Sequence, residues 1–138
     1  MIDAENEIFT IVATSLREAY PGLYVTGEYV REPAKFPCVS IEEKNNAVWR
    51  NSRDTMTNEN HAAVMYEINV YSSKLNGKKQ ECKDILAVAD GVMTDLGFSR
   101  TMISPVPNLA DATIYRITAR YQAIIGTDVN GRFIIYKR

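Results

Sequence analysis

The sequence is poor in the residues on which most enzyme active sites depend. It has one histidine, His61, and two cysteines, Cys38 and Cys82, among 138 residues. Two thiols define neither a disulfide framework nor a metal-ligand spacing, and one histidine supplies at most one general base. The adjacent acids Glu42 and Glu43 are expected on opposite faces of a strand, which argues against shared metal ligation. The sequence therefore predicts no catalytic residues, no cofactor and no metal site, and a small enzyme that uses His61, alone or with one of the cysteines, is the weakest hypothesis.

Long apolar runs and a surplus of charge are also missing. The uninterrupted apolar stretches are a few residues long, far below the roughly 18 to 20 residues that cross a bilayer, so we expect no membrane partner. Lys and Arg total 16 and Asp and Glu total 17, for a net charge of −1, which gives no electrostatic reason to expect nucleic-acid binding. With 46% apolar and 24% charged residues, the chain fits a single globular domain that spans residues 1–138.

The charge is unevenly distributed along the chain. Residues 1–69 carry a net charge of −5, and residues 70–138 carry +4. If the two halves occupy different faces of the domain, the subunit is electrically polar and suits head-to-tail contacts with copies of itself or with a neighbour. A fold that interleaves the halves averages the asymmetry away.

Two segments have the period of amphipathic helices. Residues 3–20 place apolar side chains at steps of three and four, with Asp3 as the expected N-cap and Pro21 just beyond the end. Residues 78–96 repeat the pattern, and Gly97 stands where a left-handed C-cap belongs. We therefore predict one helix in each half of the chain.

The remaining periodic segments have the composition and alternation of strands. They are residues 23–30, 38–42, 62–72, 98–104, 112–125 and 132–136. Two helices with one apolar stripe each fit a mostly antiparallel sheet that is covered on one face. The predicted fold is an α+β two-layer sandwich, with both main helices on one face of the sheet and the order α-β-β-β-α-β-β-β. We expect the unpaired sheet edge at the strand of residues 112–125 and at the short C-terminal strand.

Residues 44–61 are polar, rich in Asn and without a regular period, which predicts a long loop or hairpin excursion. Connections of this length are uncommon inside compact domains and often functional, so Trp49, Arg50 and Arg53 are candidate contact residues. The alternative is a hairpin whose Trp49 folds back onto the core.

Arg116 and Arg120 lie four positions apart on the polar face of the strand predicted at residues 112–125. With Arg100 or Lys83 nearby, they could contact nucleic acid. Because no exposed aromatic residues are interleaved with them, we favour a solvated or subunit-facing surface.

Three stretches together carry a family resemblance. They are residues 66–71 (YEINVY) before a Lys-rich helix start, residues 93–98 (MTDLGF), and residues 108–111 (NLAD) leading into 114–121 (IYRITARY). In this order they resemble the tail terminator proteins of long-tailed bacteriophages and prophages. The resemblance runs over residues 1–126 and contains no catalytic signature.

The resemblance implies a structural subunit of the virion tail that is assembled in the cytoplasm of the bacterial host. Such a subunit forms a homo-oligomeric, commonly hexameric, ring on the head-proximal end of the tail tube. Its partners are the tail-tube protein and the connector proteins of the head–neck region, and DNA passes through the lumen without specific binding.

In such a ring, Trp49, Arg50 and Arg53 are hypothesised to contact the tube or an adjacent subunit. Arg116 and Arg120 are hypothesised to contribute to a sheet-mediated contact between subunits. Two other functions remain open: another neck component, such as a head-completion or connector protein, and, less favoured, a cytoplasmic nucleic-acid-binding domain.

Overall fold

Two helices and six strands make up the described part of the chain, which in this computed structural model covers residues 1–30, 33–48, 61–107, 111–128 and 130–136. In chain order they are α1 (Glu5–Ala19), β1 (Tyr24–Thr26), β2 (Cys38–Val48), β3 (His61–Ser72), α2 (Lys78–Leu96), β4 (Ser99–Pro105), β5 (Tyr115–Thr127) and β6 (Phe133–Tyr136). The order and the mostly antiparallel sheet confirm the predicted α+β fold.

The strands form one sheet in the order β1-β2-β3-β5-β4, and β6 pairs with the C-terminal part of β5. Only β1 and β2 are parallel; the other pairs are antiparallel. The expectation that β5 forms a sheet edge is wrong, because β5 pairs with β3 on one side and with β4 and β6 on the other. The same expectation for the C-terminal strand is confirmed, since β6 pairs with β5 alone among the described residues. A long strand that buries every second side chain gains most in the middle of the sheet, so the short strands take the edges.

Both helices pack their apolar stripes on the same face of the sheet. The largest stripe residues, Ile8 and Leu16 of α1 and Ile85 and Met93 of α2, are at most 2% exposed. They join one core cluster with alternate residues of β2, β3 and β5, of which the best covered are Val39, Tyr66, Ile68, Val70, Ala119, Tyr121, Ala123 and Ile125. The stripes and the alternation predicted from the sequence therefore face each other across one core.

The helix ends agree with the sequence in one case and differ in another. Gly97 ends α2 in the left-handed region, with φ of 108°, as the C-cap prediction requires. At the start of α1, however, Ala4 is the N-cap and no side chain caps the helix. Ala4 is 3% exposed and belongs to the core. Asp3 therefore lies one residue before the N-cap, where its carboxylate accepts the Glu5 N–H at 3.2 Å.

The predicted excursion at residues 44–61 is partly strand. β2 continues through Val48 and β3 begins at His61, so that residues 45–48 pair with residues 62–65 across a bulge near Lys44. This part of β2 was not predicted as a strand because its own sequence is polar and lacks alternation. The buried side chains of the pair, Ala62 and Val64, come from β3. Trp49, Arg50 and Arg53 lie outside the described residues.

The two halves of the chain lie side by side in the order of strands. The N-terminal half supplies α1, β1, β2 and most of β3, and the C-terminal half supplies α2, β4, β5 and β6. Among the described residues, the N-terminal half has three basic and eight acidic side chains, and the C-terminal half has eight basic and six acidic ones. The acidic and basic halves therefore lie next to each other along the sheet and are not separated onto its two faces.

Candidate functional site

The sheet face opposite the helices is the candidate functional surface, and we call it the open face. No helix of the described ranges covers it, although the β1–β2 connection lies over one end, where Val30 accepts a hydrogen bond from the Tyr71 hydroxyl at 3.0 Å. Its side chains, assigned by alternation and register, come from four strands: Ser40 and Glu42; Met65, Glu67, Asn69 and Tyr71; Ser99, Met102 and Ser104; and Arg116, Thr118, Arg120, Gln122 and Ile124.

Arg116 is held in place by its neighbours on β3. Its Nε donates to Oδ1 of Asn69 at 3.0 Å, and its guanidinium carbon lies 5.5 Å from the centre of the Tyr71 ring. Asn69 is 2% exposed, and the same oxygen also accepts from the Thr118 hydroxyl. Burial raises the pKa of Tyr71 and the Arg116 charge opposes that rise. The side chain predicted as an interface residue is thus a fixed part of the sheet surface rather than a free cation.

Arg120 belongs to a chain of alternating charges that crosses three strands. Glu67, which is 8% exposed, has Arg120 Nε 3.6 Å from one carboxylate oxygen and Lys44 Nζ 3.6 Å from the other. Lys44 also lies 2.9 Å from Glu42, and this hydrogen bond is the main reason why the pKa of Lys44 is raised. Two acids and two bases therefore neutralise each other in the middle of the open face.

The four cations considered for nucleic-acid binding do not share a surface. Arg100 stands opposite Tyr121 on the helix-covered face, and its Nη1 donates to Asp90 of α2 at 2.9 Å. Lys83 also belongs to α2. Because Arg116 and Arg120 lie on the other face beside acids and amides, the basic patch expected of a nucleic-acid site is not assembled by these residues.

One end of the open face is apolar. Register places Ala63 opposite Ile124 and Met65 opposite Gln122, and Ile134 of β6 follows on the same face with 36% of its surface exposed. All of them are partly exposed, and Gln122 Nε2 approaches the Met65 sulfur at 3.9 Å. Sequence reasoning missed this cluster because the cross-strand register alone brings β3, β5 and β6 together here.

No family model matches the chain. No curated protein matches it either. The resemblance to tail terminators therefore rests on residues 66–71, 93–98 and 108–121, and on the order of elements between them.

The residues available for nucleophilic chemistry lie far apart. His61 begins β3, whereas Cys38 pairs with Tyr71, ten residues further along that strand, which corresponds to about 30 Å. Cys82 lies near the same end as Cys38, where its thiol donates to the Val70 carbonyl at 3.6 Å. Burial raises the pKa of each thiol to about 12. Neither cysteine can therefore form a thiolate–imidazole pair with His61, and both thiols are protonated near neutral pH.

Three carboxylates meet where α1 begins. Oxygens of Asp3, Glu5 and Glu43 lie within 4.8 Å of one another, the one such grouping in the described part of the chain. Glu5 accepts the Glu43 N–H at 2.7 Å, and Glu43 accepts the Tyr66 hydroxyl at 3.1 Å. Burial, followed by repulsion from Glu5 and Asp3, raises the pKa of Glu43 although the Tyr66 hydrogen bond lowers it. These hydrogen bonds tie α1 to β2, and Glu42 points away to the open face, as the sequence predicts.

No helix among the described residues has both the length and the apolar composition needed to span a bilayer.

Proposed function

We propose that this chain is a structural subunit of a phage tail. Copies of it assemble as a ring, commonly of six, at the head-proximal end of the tail tube. There the ring ends tube polymerisation and presents a joining surface to the head–neck connector proteins, while DNA passes through the lumen. The proposal rests on the family resemblance together with one structural observation, the open face.

The open face supports a role in protein contact because most of its charged groups are already held by neighbours, although the Ser40 hydroxyl and one Glu42 carboxylate oxygen have no hydrogen-bond partner among the described residues. Arg116 is fixed on Asn69 and Tyr71, and the charges around Glu67 are paired. A partner that covers the paired charges around Glu67 does not leave those ions isolated, which would cost several kcal/mol per ion. Arg120 remains 45% exposed, more than Lys44 or Arg116 on the same face.

The partly exposed side chains of Met65, Ile124 and Ile134 add apolar area beside this polar centre. An apolar region bordered by polar residues is typical of interfaces between subunits. Trp49, Arg50 and Arg53 retain their hypothesised contact with the tube or with an adjacent subunit.

The solution mass across a concentration and salt series tests the assembly. A closed ring of six has a mass of about 94 kDa, six times the 15.6 kDa of the chain. The double variant Arg50→Glu with Arg53→Glu is expected to remain folded but not to assemble or join tails. The matched control is Lys74→Glu with Lys79→Glu, which reverses two exposed charges that line neither the groove beside β1 nor the groove beside β4 and should behave as wild type. Unchanged tail joining by the first variant would remove the loop from this account.

Binding to isolated virion parts separates this proposal from the nearest alternative. A tail terminator binds the ends of tail tubes, whereas a head-completion or connector protein binds the portal end of filled heads. A nucleic-acid-binding domain would instead show DNA affinity that falls steeply as salt increases.

A further inference from the structure

We propose that copies of this chain join head to tail through the two ends of the sheet, with the β1 edge of one copy against the β4 edge of the next. This contact rests on the proposed ring function and specifies which surfaces close the ring. The occupant of each edge is a second copy of the chain.

The outer edges of β1 and β4 are unpaired in the described part of the chain and lie at opposite ends of the strand order, while β6 is a further edge strand beside β5. Among the described residues, β1 pairs only with β2, and β4 pairs only with β5. A free strand edge presents backbone N–H and C=O groups that a further chain can occupy. Because the edges are different surfaces, a contact between them is heterologous and generates a ring when the rotation closes.

Each edge adjoins a groove between the edge strand and a helix. Beside β1 the groove has a volume of about 480 Å³ and includes Phe9 of α1, Thr26 and Glu28. Beside β4 it has a volume of about 310 Å³ and includes Lys83 and Leu86 of α2 with Ile103. Each edge thus offers a cleft as well as backbone groups.

Large apolar side chains are exposed at both edges. Ile103 of β4 is 47% exposed, Tyr24 of β1 is 37% exposed, and Tyr29, three residues after β1, is 61% exposed. Contact between copies would remove this apolar surface from water, at about 25 cal/mol per Å².

The charges of the two grooves are complementary. Glu5, Glu28 and Arg17 line the β1 groove, for a net charge of −1, and the Glu5 carboxylate already accepts the Glu43 N–H.

In the β4 groove Arg100 is paired with Asp90, which leaves Lys83 and a net charge of +1. Glu28 and Lys83 are both exposed, and neither forms an ion pair with a residue of the described ranges. Two β4 edges would place lysine against lysine, so opposite edges pair better than like ones.

Charge exchange between the edges tests this contact. Lys83→Glu gives the chain two acidic edges, and Glu28→Lys gives it two basic edges. Light scattering gives the protein concentration at which half of the chains are in rings. For each variant alone this concentration should be at least tenfold higher than for wild type. An equimolar mixture should restore assembly, because the two variants then alternate around an even-numbered ring.

The controls reverse charges that line neither groove. Lys74→Glu and Glu18→Lys, both exposed, should assemble as wild type, alone and mixed. Circular dichroism establishes that every variant is folded. Assembly by either edge variant alone at wild-type concentration, or no recovery in the mixture, would overturn the edge contact.

Each series is measured with and without tail tubes, so that the two proposals fail differently. Charge-dependent rings that ignore tube ends would contradict the tail function and leave the edge contact standing. If both edge variants bind tube ends as well as wild type does, the tail function is supported and the edge contact is contradicted. A wild-type chain that remains monomeric under both conditions overturns the edge contact.

Discussion

Asp90 of α2 forms hydrogen bonds with side chains of both β4 and β5. Its substitution tests, through the free energy of unfolding, how this helix is held on the sheet. One carboxylate oxygen accepts both the Tyr121 hydroxyl at 2.8 Å and Arg100 Nη1 at 2.9 Å. Tyr121 is fully buried, whereas the Arg100 and Asp90 side chains are 45% and 28% exposed. Burial, followed by the hydrogen bond to Asp90, raises the pKa of Tyr121, so its hydroxyl remains a donor throughout the neutral range.

The loss of unfolding free energy in each variant depends on which side chain loses its hydrogen-bond partner. In Asp90→Ala the buried Tyr121 hydroxyl loses its acceptor, which costs about 1–3 kcal/mol, and the part-exposed ion pair adds less than about 1 kcal/mol. We expect a total of about 2 kcal/mol, equivalent to a fall in Tm of roughly 6–8 °C. Tyr121→Phe removes the hydroxyl itself and leaves Asp90 with Arg100 and water, so it should cost about 1.5 kcal/mol.

The double variant is the decisive measurement. Once Asp90 is absent, replacing Tyr121 by Phe removes an unsatisfied hydroxyl, so the double variant should cost about 2 kcal/mol rather than the sum of the singles. Urea unfolding with unchanged m-values measures all three variants. Asp95→Ala, an exposed acid on the same helix, is the control and should change stability by less than about 0.5 kcal/mol. Additive costs would refute the hydrogen bond on which this reasoning depends.

Three further predictions concern the acid cluster, the thiols and a helix end. Because the pKa of Glu43 is raised in the folded state, stability falls as pH increases from about 4.5 through that pKa. Glu43→Gln should flatten this fall and make the chain more stable than wild type at pH 7, measured by denaturation across pH. Cys38 and Cys82, with pKa values of about 12, should react with a thiol reagent at pH 8 at least about a hundredfold more slowly in the folded than in the unfolded chain. Equal rates would show that the thiols are accessible. Gly97→Ala should cost about 2 kcal/mol, because φ is 108° and the new methyl group would lie 3.3 Å from a β6 carbonyl oxygen. Gly91→Ala, in open space on α2, should instead stabilise the chain by about 0.5–1 kcal/mol.

The elements whose apolar side chains carry a regular period are the ones that sequence predicts best. The stripes of residues 3–20 and 78–96 and the alternation of residues 112–125 give the helices, the central strand and the two-layer fold. Prediction fails where burial is supplied by a partner strand, as at residues 44–48, whose own side chains are polar. It also fails for the position of β5, which was expected at an edge, since the order of strands depends on long-range pairing that no local pattern contains.

The candidate site was predictable in part for the same reason. Alternation places Arg116 and Arg120 on one face, as the structure shows. Their partners Asn69 and Glu67 become neighbours only through the β3–β5 register, in which Asn69 stands opposite Thr118 and Glu67 opposite Arg120. The contacts that hold Arg116 and pair the charge of Arg120 therefore depend on the fold. They could not be predicted from the sequence around the two arginines.

Electron microscopy of purified tail tubes incubated with this chain tests the central proposal most directly. If this chain is a tail terminator, an added ring appears at one end of each tube, and tubes capped in this way do not lengthen when more tail-tube protein is supplied. Tubes with both ends bare that continue to grow in the presence of the chain would contradict the proposal.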